Sequence, residues 1–201
     1  RNNSFAHNNL GAALHTKKRF KEAEAEYQEA LHINPRYSAA YTNLAGLASE
    51  QGRLDEAVAL CKKAIAINPG SKNGQYYLAT FLAQQGKNEE ALGHNEEAVR
   101  ANPDDPNVHY NLGSILSALG RSDEAADCYR AALRLNPRLA ESHNNLGDFL
   151  LRQGQAAEAE KHCLEAVAIN PGYADAYNNL GSALAYQSRY EEAVARYEKA
   201  L

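Results

Sequence analysis

Residues 102–137 read NPDDPNVHYNLGSILSALGRSDEAADCYRAALRLNP, a run that opens and closes on Asn-Pro. Its two framing prolines, Pro103 and Pro137, are 34 residues apart. Between them the chemistry describes two helices joined by a break. His109, Leu112, Gly113 and Leu116 recur at helical spacing and give a first helix, A, one packing face. Gly120 interrupts the chain. Asp123 and Glu124 follow in the first turn of a second helix, B, where the helix dipole favours negative charge. Ala125, Tyr129, Ala132 and Leu133 form the apolar face of helix B. Asn136 then ends the helix in a conformation Asn tolerates, and Pro137 prevents continuation.

The same unit recurs along the chain. Pro35, Pro69, Pro103, Pro137 and Pro171 are spaced by 34 residues and each follows an Asn; Pro106 alone falls outside the series. With each of these prolines at position 32, units begin at Ser4, Ser38, Lys72, Pro106, Ala140 and Ala174, and the last stops at position 28. Position 7 is Leu in all six units, and positions 20 and 27 are Ala. Position 8 is Gly or Ala throughout, which is expected to let another backbone approach closely. Gly52, Gly86, Gly120 and Gly154 recur at position 15.

Composition narrows the classes. The 201 residues are 44% apolar and 23% charged, with net charge -4. These values exclude collagen-like and strongly charged disordered chains. No apolar run approaches the ~18 residues of a membrane span, and no signal-peptide pattern opens the chain. The acidic balance argues against nucleic acid or an anionic membrane as the main partner. Three Cys without tight spacing suggest neither a disulfide framework nor a zinc pattern. The absence of Met, together with the short last unit, leads us to expect a fragment of a longer protein.

The 34-residue pattern resembles the tetratricopeptide repeat (TPR). The resemblance covers residues 4–201 as a single array of six repeats: 4–37, 38–71, 72–105, 106–139, 140–173 and 174–201. It implies an all-α fold, a right-handed α-solenoid (superhelix) of antiparallel helix pairs with helices A lining a concave groove. Each repeat is too small to bury its own core and is stabilised by its neighbours. Position 4, often Trp in the family, holds His7, Tyr41, Gln75, His109, His143 and Tyr177 here. The three His among them are expected to pack.

In TPR proteins, positions 2, 5, 6, 9, 12 and 13 face the groove. Position 6 holds Asn9, Asn43, Tyr77, Asn111, Asn145 and Asn179. Helix propensity does not explain so many Asn. A primary amide offers a donor and an acceptor that match a peptide backbone, so this column reads as an asparagine ladder for an extended segment, interrupted at Tyr77. The alternative is that the amides satisfy neighbouring helix backbones. Strings such as Asn144-Asn145-Leu146-Gly147 and Asn178-Asn179-Leu180-Gly181 resemble the TPR region of O-linked N-acetylglucosamine transferases, where such a ladder binds substrate backbone. Tyr76, Tyr77 and Tyr110 read as an aromatic patch in mid-groove or as inter-repeat packing. Glu141, Asp148 and Asp175 make the far end of the groove acidic. No Lys or Arg stands at positions 2, 5, 6 or 9, so a carboxylate clamp of the chaperone-cofactor type is not expected.

Other chemistry finds little footing. His94, Cys128 and His162 share position 23 of successive repeats, too far apart to converge on one zinc ion. Cys61 and Cys163, at position 24, read as small buried apolar residues. The paired carboxylates recur once per repeat, whereas a catalytic pair would be singular. No nucleophile elbow, P-loop or dinucleotide fingerprint occurs. The expectation is therefore a protein–protein interaction scaffold with a protein or peptide partner. It has no catalytic residue, cofactor or metal. Alternatives are a non-catalytic substrate-binding arm of a glycosyltransferase and a scaffold that self-associates through exposed repeat ends. Reduced, buried Cys and no signal peptide suit the cytoplasm.

Overall fold

The computed structural model describes residues 3–201. Among them are twelve α-helices and no strand. Two compact units divide the chain, one ending at Pro103 and the other beginning at Asp104. The first contains α1 (Ser4–Thr16), α2 (Phe20–Ile33), α3 (Ser38–Glu50), α4 (Leu54–Ile67), α5 (Lys72–Gln84) and α6 (Asn88–Ala101). The second contains α7 (Pro106–Ala118), α8 (Ser122–Leu135), α9 (Ala140–Arg152), α10 (Ala156–Ile169), α11 (Ala174–Tyr186) and α12 (Tyr190–Ala200). Within each unit, odd and even helices pair, and each pair packs on the next, as in a TPR solenoid.

Two kinds of turn set this alternation. Between the helices of a pair, Gly52, Gly86, Gly120 and Gly154 adopt φ of 74 to 78°, the left-handed region that glycine enters without a Cβ clash. The next N–H then returns to a carbonyl of the finished helix, as from Arg53 to Ala48 at 2.9 Å. Lys18 and Ser188 hold the same conformation without being glycine (φ 57 and 61°). That backbone costs a non-glycine residue ~1–2 kcal/mol, partly offset by glycine's greater unfolded-state entropy. Ser188→Gly is thus expected to stabilise the second unit by about 0.5–1 kcal/mol, read as a higher urea midpoint; an unchanged or lower midpoint would contradict it.

Between pairs, the helix ends at Asn-Pro. Asn34, Asn68, Asn136 and Asn170 are extended, with φ between -137 and -126°, and not left-handed. A following proline forbids helical geometry and favours this region. The Asn side chain is used instead: Oδ1 of Asn34, Asn136 and Asn170 accepts the N–H two residues on, at 3.0–3.1 Å.

The small residue at position 8 has a purpose that sequence did not reveal. An added Cβ would lie 2.7 Å from the Tyr27 ring at Gly11, 2.6 Å from the Tyr129 ring at Gly113 and 2.6 Å from the Tyr197 ring at Gly181. At Gly147 it would lie 2.7 Å from Cys163 Sγ. The close approach is by a side chain at position 24, with backbone oxygen only second, which corrects the expectation of backbone contact. Where position 8 is Ala45 or Ala79, position 24 is the smaller Cys61 or Asn95. Ion pairs tie successive even helices together. Arg53 reaches Glu24 at 3.2 Å and Glu56 at 2.8 Å; Arg189 reaches Glu160 at 2.8 Å and Glu192 at 2.7 Å.

Candidate functional site

In the first unit, α1 and α3 bring two amides together. Asn43 Nδ2 donates to Asn8 Oδ1 at 2.9 Å. Asn8 is buried, whereas Asn9, the ladder residue expected from sequence, is exposed beside it. Asn43 also lines an open cleft with Thr42, Ser71, Lys72 and Asn73. Tyr76 and Tyr77 lie together, ring centroids 5.3 Å apart, and Tyr77 stacks on Phe81 of its own helix at 5.8 Å and 14°. Tyr76 and Tyr77 are half-buried and Phe81 is buried, all three on α5.

In the second unit the polar side chains form a connected chain. Asn179 Nδ2 donates to Asn144 Oδ1 at 2.9 Å, and Asn144 Nδ2 donates to Asn145 Oδ1 at 3.3 Å. Asn145 and Tyr129 line one cleft together with Ser114 and Ser117. Tyr110 completes the group, its ring 6.1 Å from that of Tyr129. The Tyr173 hydroxyl pKa is pushed up to about 12, first by burial and then by Tyr110, Glu141 and Asp175, with Asn144 acting in the opposite direction. Asn111 is half-buried on α7. Of the expected site residues, Asn145 and Asn179 are thus linked through Asn144, and Tyr110 lies against Tyr129, which shares a cleft lining with Asn145. Sequence missed Asn8, Asn144, Tyr129 and Tyr173. The doubled Asn at positions 5 and 6 was the available signal for the first two.

The histidines pair across the two helices of a repeat. His7 Nδ1 lies 2.6 Å from Glu26, His94 Nδ1 lies 2.9 Å from Gln75, and His143 Nδ1 lies 2.9 Å from His162 Nδ1. His143 Nε2 faces the Pro137 carbonyl at 3.1 Å, which can only accept. Neutral His143 therefore carries its proton on Nε2, and His162 Nδ1–H donates to His143 Nδ1. Burial, then His143, hold His162 below the ordinary imidazole pKa of 6.5; Glu158 and Glu165 oppose this and Arg130 adds to it. A depressed folded pKa means the unfolded state binds more protons below 6.5, so stability is lost as pH falls through that value. His162→Gln is expected to flatten this acid-side loss in urea titrations at several pH values; an unaltered slope would contradict it. Cys61 and Cys163 are buried, their thiol pKa values pushed up to about 12 by that burial, so both stay protonated. Among the described residues, no three His, Cys, Asp or Glu are grouped to hold a metal, and no helix is long and apolar enough to cross a membrane.

Comparison with known proteins agrees with this architecture. Models of the tetratricopeptide repeat match residues 14–79, 48–110, 110–174 and 162–195. No curated protein matches the chain. Among solved structures, the chain is similar to YrrB, described as a TPR protein with an unusual peptide-binding site, at 27% identity and TM-score 0.69, over 87% of this chain and 90% of that one. It is similar in fold to pilF of Pseudomonas aeruginosa, at 19% identity and TM-score 0.89, over 96% and 88%. A thermophilic TPR protein of Thermus thermophilus shares the fold at 24% identity and TM-score 0.70, over 96% and 100%.

Proposed function

Because this chain belongs to the tetratricopeptide repeat family, whose fold is consistent with a protein–protein interaction scaffold, we propose that it binds an extended peptide along its Asn-bearing helices. In this reading the two units continue one array of six repeats. TPR proteins are generally non-catalytic scaffolds, and we assign this chain no reaction of its own. The observation that carries the reading is the chain of amides from Asn179 through Asn144 to Asn145. One N–H of Asn179 is spent on Asn144, which fixes the plane of the amide. Its other N–H and its Oδ1 then present a pre-oriented donor and acceptor to a peptide backbone. Asn43, held by Asn8, has the same arrangement in the first unit. The peptide-binding site described for YrrB supports this use of the fold.

The test is selection of peptides from a displayed library by the whole chain, repeated with Asn43→Ala, Asn145→Ala and Asn179→Ala. Selected peptides should bind the variants at least about tenfold more weakly, the loss of one or two backbone hydrogen bonds. Undiminished binding to all three would show that the amides are not the binding device. A substrate-binding arm of a glycosyltransferase would use the same chemistry, and a catalytic domain encoded downstream would favour it. A second reading, reversible self-association with another copy, is favoured by exposed apolar side chains: Phe5 and Leu10 on α1, Tyr186 on α11 and Tyr190 and Val194 on α12. Sedimentation that stays monomeric over a wide concentration range would remove it.

A further inference from the structure

A cleft of about 410 Å³ lies where α7, α8 and α9 meet in the second unit. It has a sequence counterpart. Ser122 stands at position 17, where other repeats carry Phe20, Leu54, Asn88, Ala156 or Tyr190. Ala118 stands at position 13, where they carry Thr16, Glu50, Gln84, Arg152 or Tyr186. This repeat alone combines Ala at position 13 with a small residue at position 17, and the space beside the two is within the ~300–1,000 Å³ range of ligand pockets. Its walls are rich in acceptor oxygens: the Asp148 carboxylate and the hydroxyls of Ser114, Ser117, Ser122 and Tyr129. Phe149 adds one flat apolar wall, and Arg152 is the one cation in the lining.

One guanidinium of the chain already pairs with the Asp148 wall, and a second, outside the lining, lies over the Phe149 ring. Arg152 Nη2 sits 2.9 Å from Asp148 Oδ2, with the Arg152 side chain 73% exposed at the mouth. The Arg130 guanidinium carbon lies 6.0 Å from the centroid of the Phe149 ring. A carboxylate, a flat ring and several hydroxyl oxygens in one cleft match a planar group with five N–H donors better than a compact ammonium.

We propose that this cleft is a subsite for an arginine side chain of the bound segment, and that Arg152 occupies its mouth as an internal stand-in for that ligand. The proposal deepens the peptide-binding reading and supplies the side-chain recognition that backbone-directed amides lack. A ligand arginine displaces Arg152 from Asp148 and exchanges one exposed ion pair for another. It gains the hydroxyl contacts and the face of Phe149, neither of which a flexible residue anchored on α9 takes up while paired at 2.9 Å within its own helix.

The test uses the whole chain, labelled with ¹⁵N, titrated with Nα-acetyl-arginine amide, Nα-acetyl-citrulline amide and Nα-acetyl-lysine amide. The arginine derivative should shift the backbone amides of Ser122, Asp148 and Phe149 saturably. Its affinity should exceed that of the uncharged citrulline derivative by about tenfold or more, the size of one charge-assisted contact, with the lysine derivative between them. Arg152→Ala should tighten arginine binding about two- to threefold by removing the internal competitor. Asp148→Asn and Ser122→Leu should each abolish the preference. Ser122→Leu reproduces Leu54 of another repeat, so retained helicity and melting temperature separate a filled cleft from a misfolded one. Equal binding of citrulline, no saturable shift at the three amides, or weaker binding in Arg152→Ala would each overturn the proposal. Asn145 belongs to this cleft as well as to the amide chain, whereas Asn43 and Asn179 lie outside the lining. Failure of the arginine titration therefore leaves peptide binding through Asn43 and Asn179 standing, and undiminished peptide binding by Asn43→Ala and Asn179→Ala leaves this result standing.

Discussion

Gly113→Ala is expected to destabilise the second unit by about 2 kcal/mol, although Ala is the better helix former by ~1 kcal/mol. The two effects oppose each other, and geometry decides the sign. The new Cβ would stand 2.6 and 2.8 Å from Tyr129 ring carbons and 3.1 Å from the Ala125 carbonyl oxygen. Neither neighbour can give way cheaply. The oxygen belongs to the backbone of α8. Tyr129 is only 3% exposed, with Tyr110 against its ring. Two controls carry the opposite sign. An added Cβ at Gly46 or Gly93 meets nothing within 4 Å, so Ala there should stabilise by about 0.5–1 kcal/mol through helix propensity alone. A compensating change is also available. Gly113→Ala with Tyr129→Cys recreates the pair found at Ala45 and Cys61. The double variant should be less destabilised than the sum of the single variants, a coupling read from urea unfolding of all four proteins. A Gly113→Ala protein as stable as the parent would sink the account of position 8.

The same column marks where sequence reading succeeds and where it stops. The all-α repeat class was legible because it rests on local chemistry: proline after Asn ends a helix, glycine at position 15 reverses the chain, and apolar residues recur at helical spacing. The partners of those residues were not legible. Position 8 was read as a site of backbone contact because glycine permits that. What approaches Gly113 is a ring sixteen residues on, chosen by how the two helices of a repeat cross. The asparagines show the limit more sharply. Aligned by repeat, Asn145 and Asn179 fall in one column, 34 residues apart. The bond in the structure joins Asn144 to Asn179, and Asn8 to Asn43, at a separation of 35. Neighbouring helices are offset, so position 6 of one repeat meets position 5 of the one before. A column alignment cannot display that offset. The cleft at Ser122 was hidden for a similar reason, since its walls come from three helices.

Asn144→Ala is expected to cost about 2–3 kcal/mol of stability and, in addition, to weaken selected peptides about tenfold, although Asn144 was not among the ladder residues. The stability loss follows from burial. Asn144 is 6% exposed, and its removal strands an N–H of Asn179 and the Oδ1 of Asn145. Each buried polar group left without a partner costs ~1–3 kcal/mol, reduced where water can enter. Asn178→Ala changes an exposed residue of the same position in the next repeat and should stay within about 0.5 kcal/mol of the parent. The binding loss follows from orientation. Asn145 and Asn179 remain in the variant, but the amide that holds both planes is gone, so each must be ordered at the moment a peptide binds. Stability and affinity separate the two uses of this amide. If the paired asparagines are only struts between helices, Asn144→Ala lowers the urea midpoint and leaves peptide affinity, measured well below that midpoint, unchanged. If they are also a pre-oriented binding surface, affinity falls under conditions where the variant is fully folded. Asn179→Ala should then lose a comparable amount of affinity with less than half the loss in stability, because its side chain is less buried and strands only one partner.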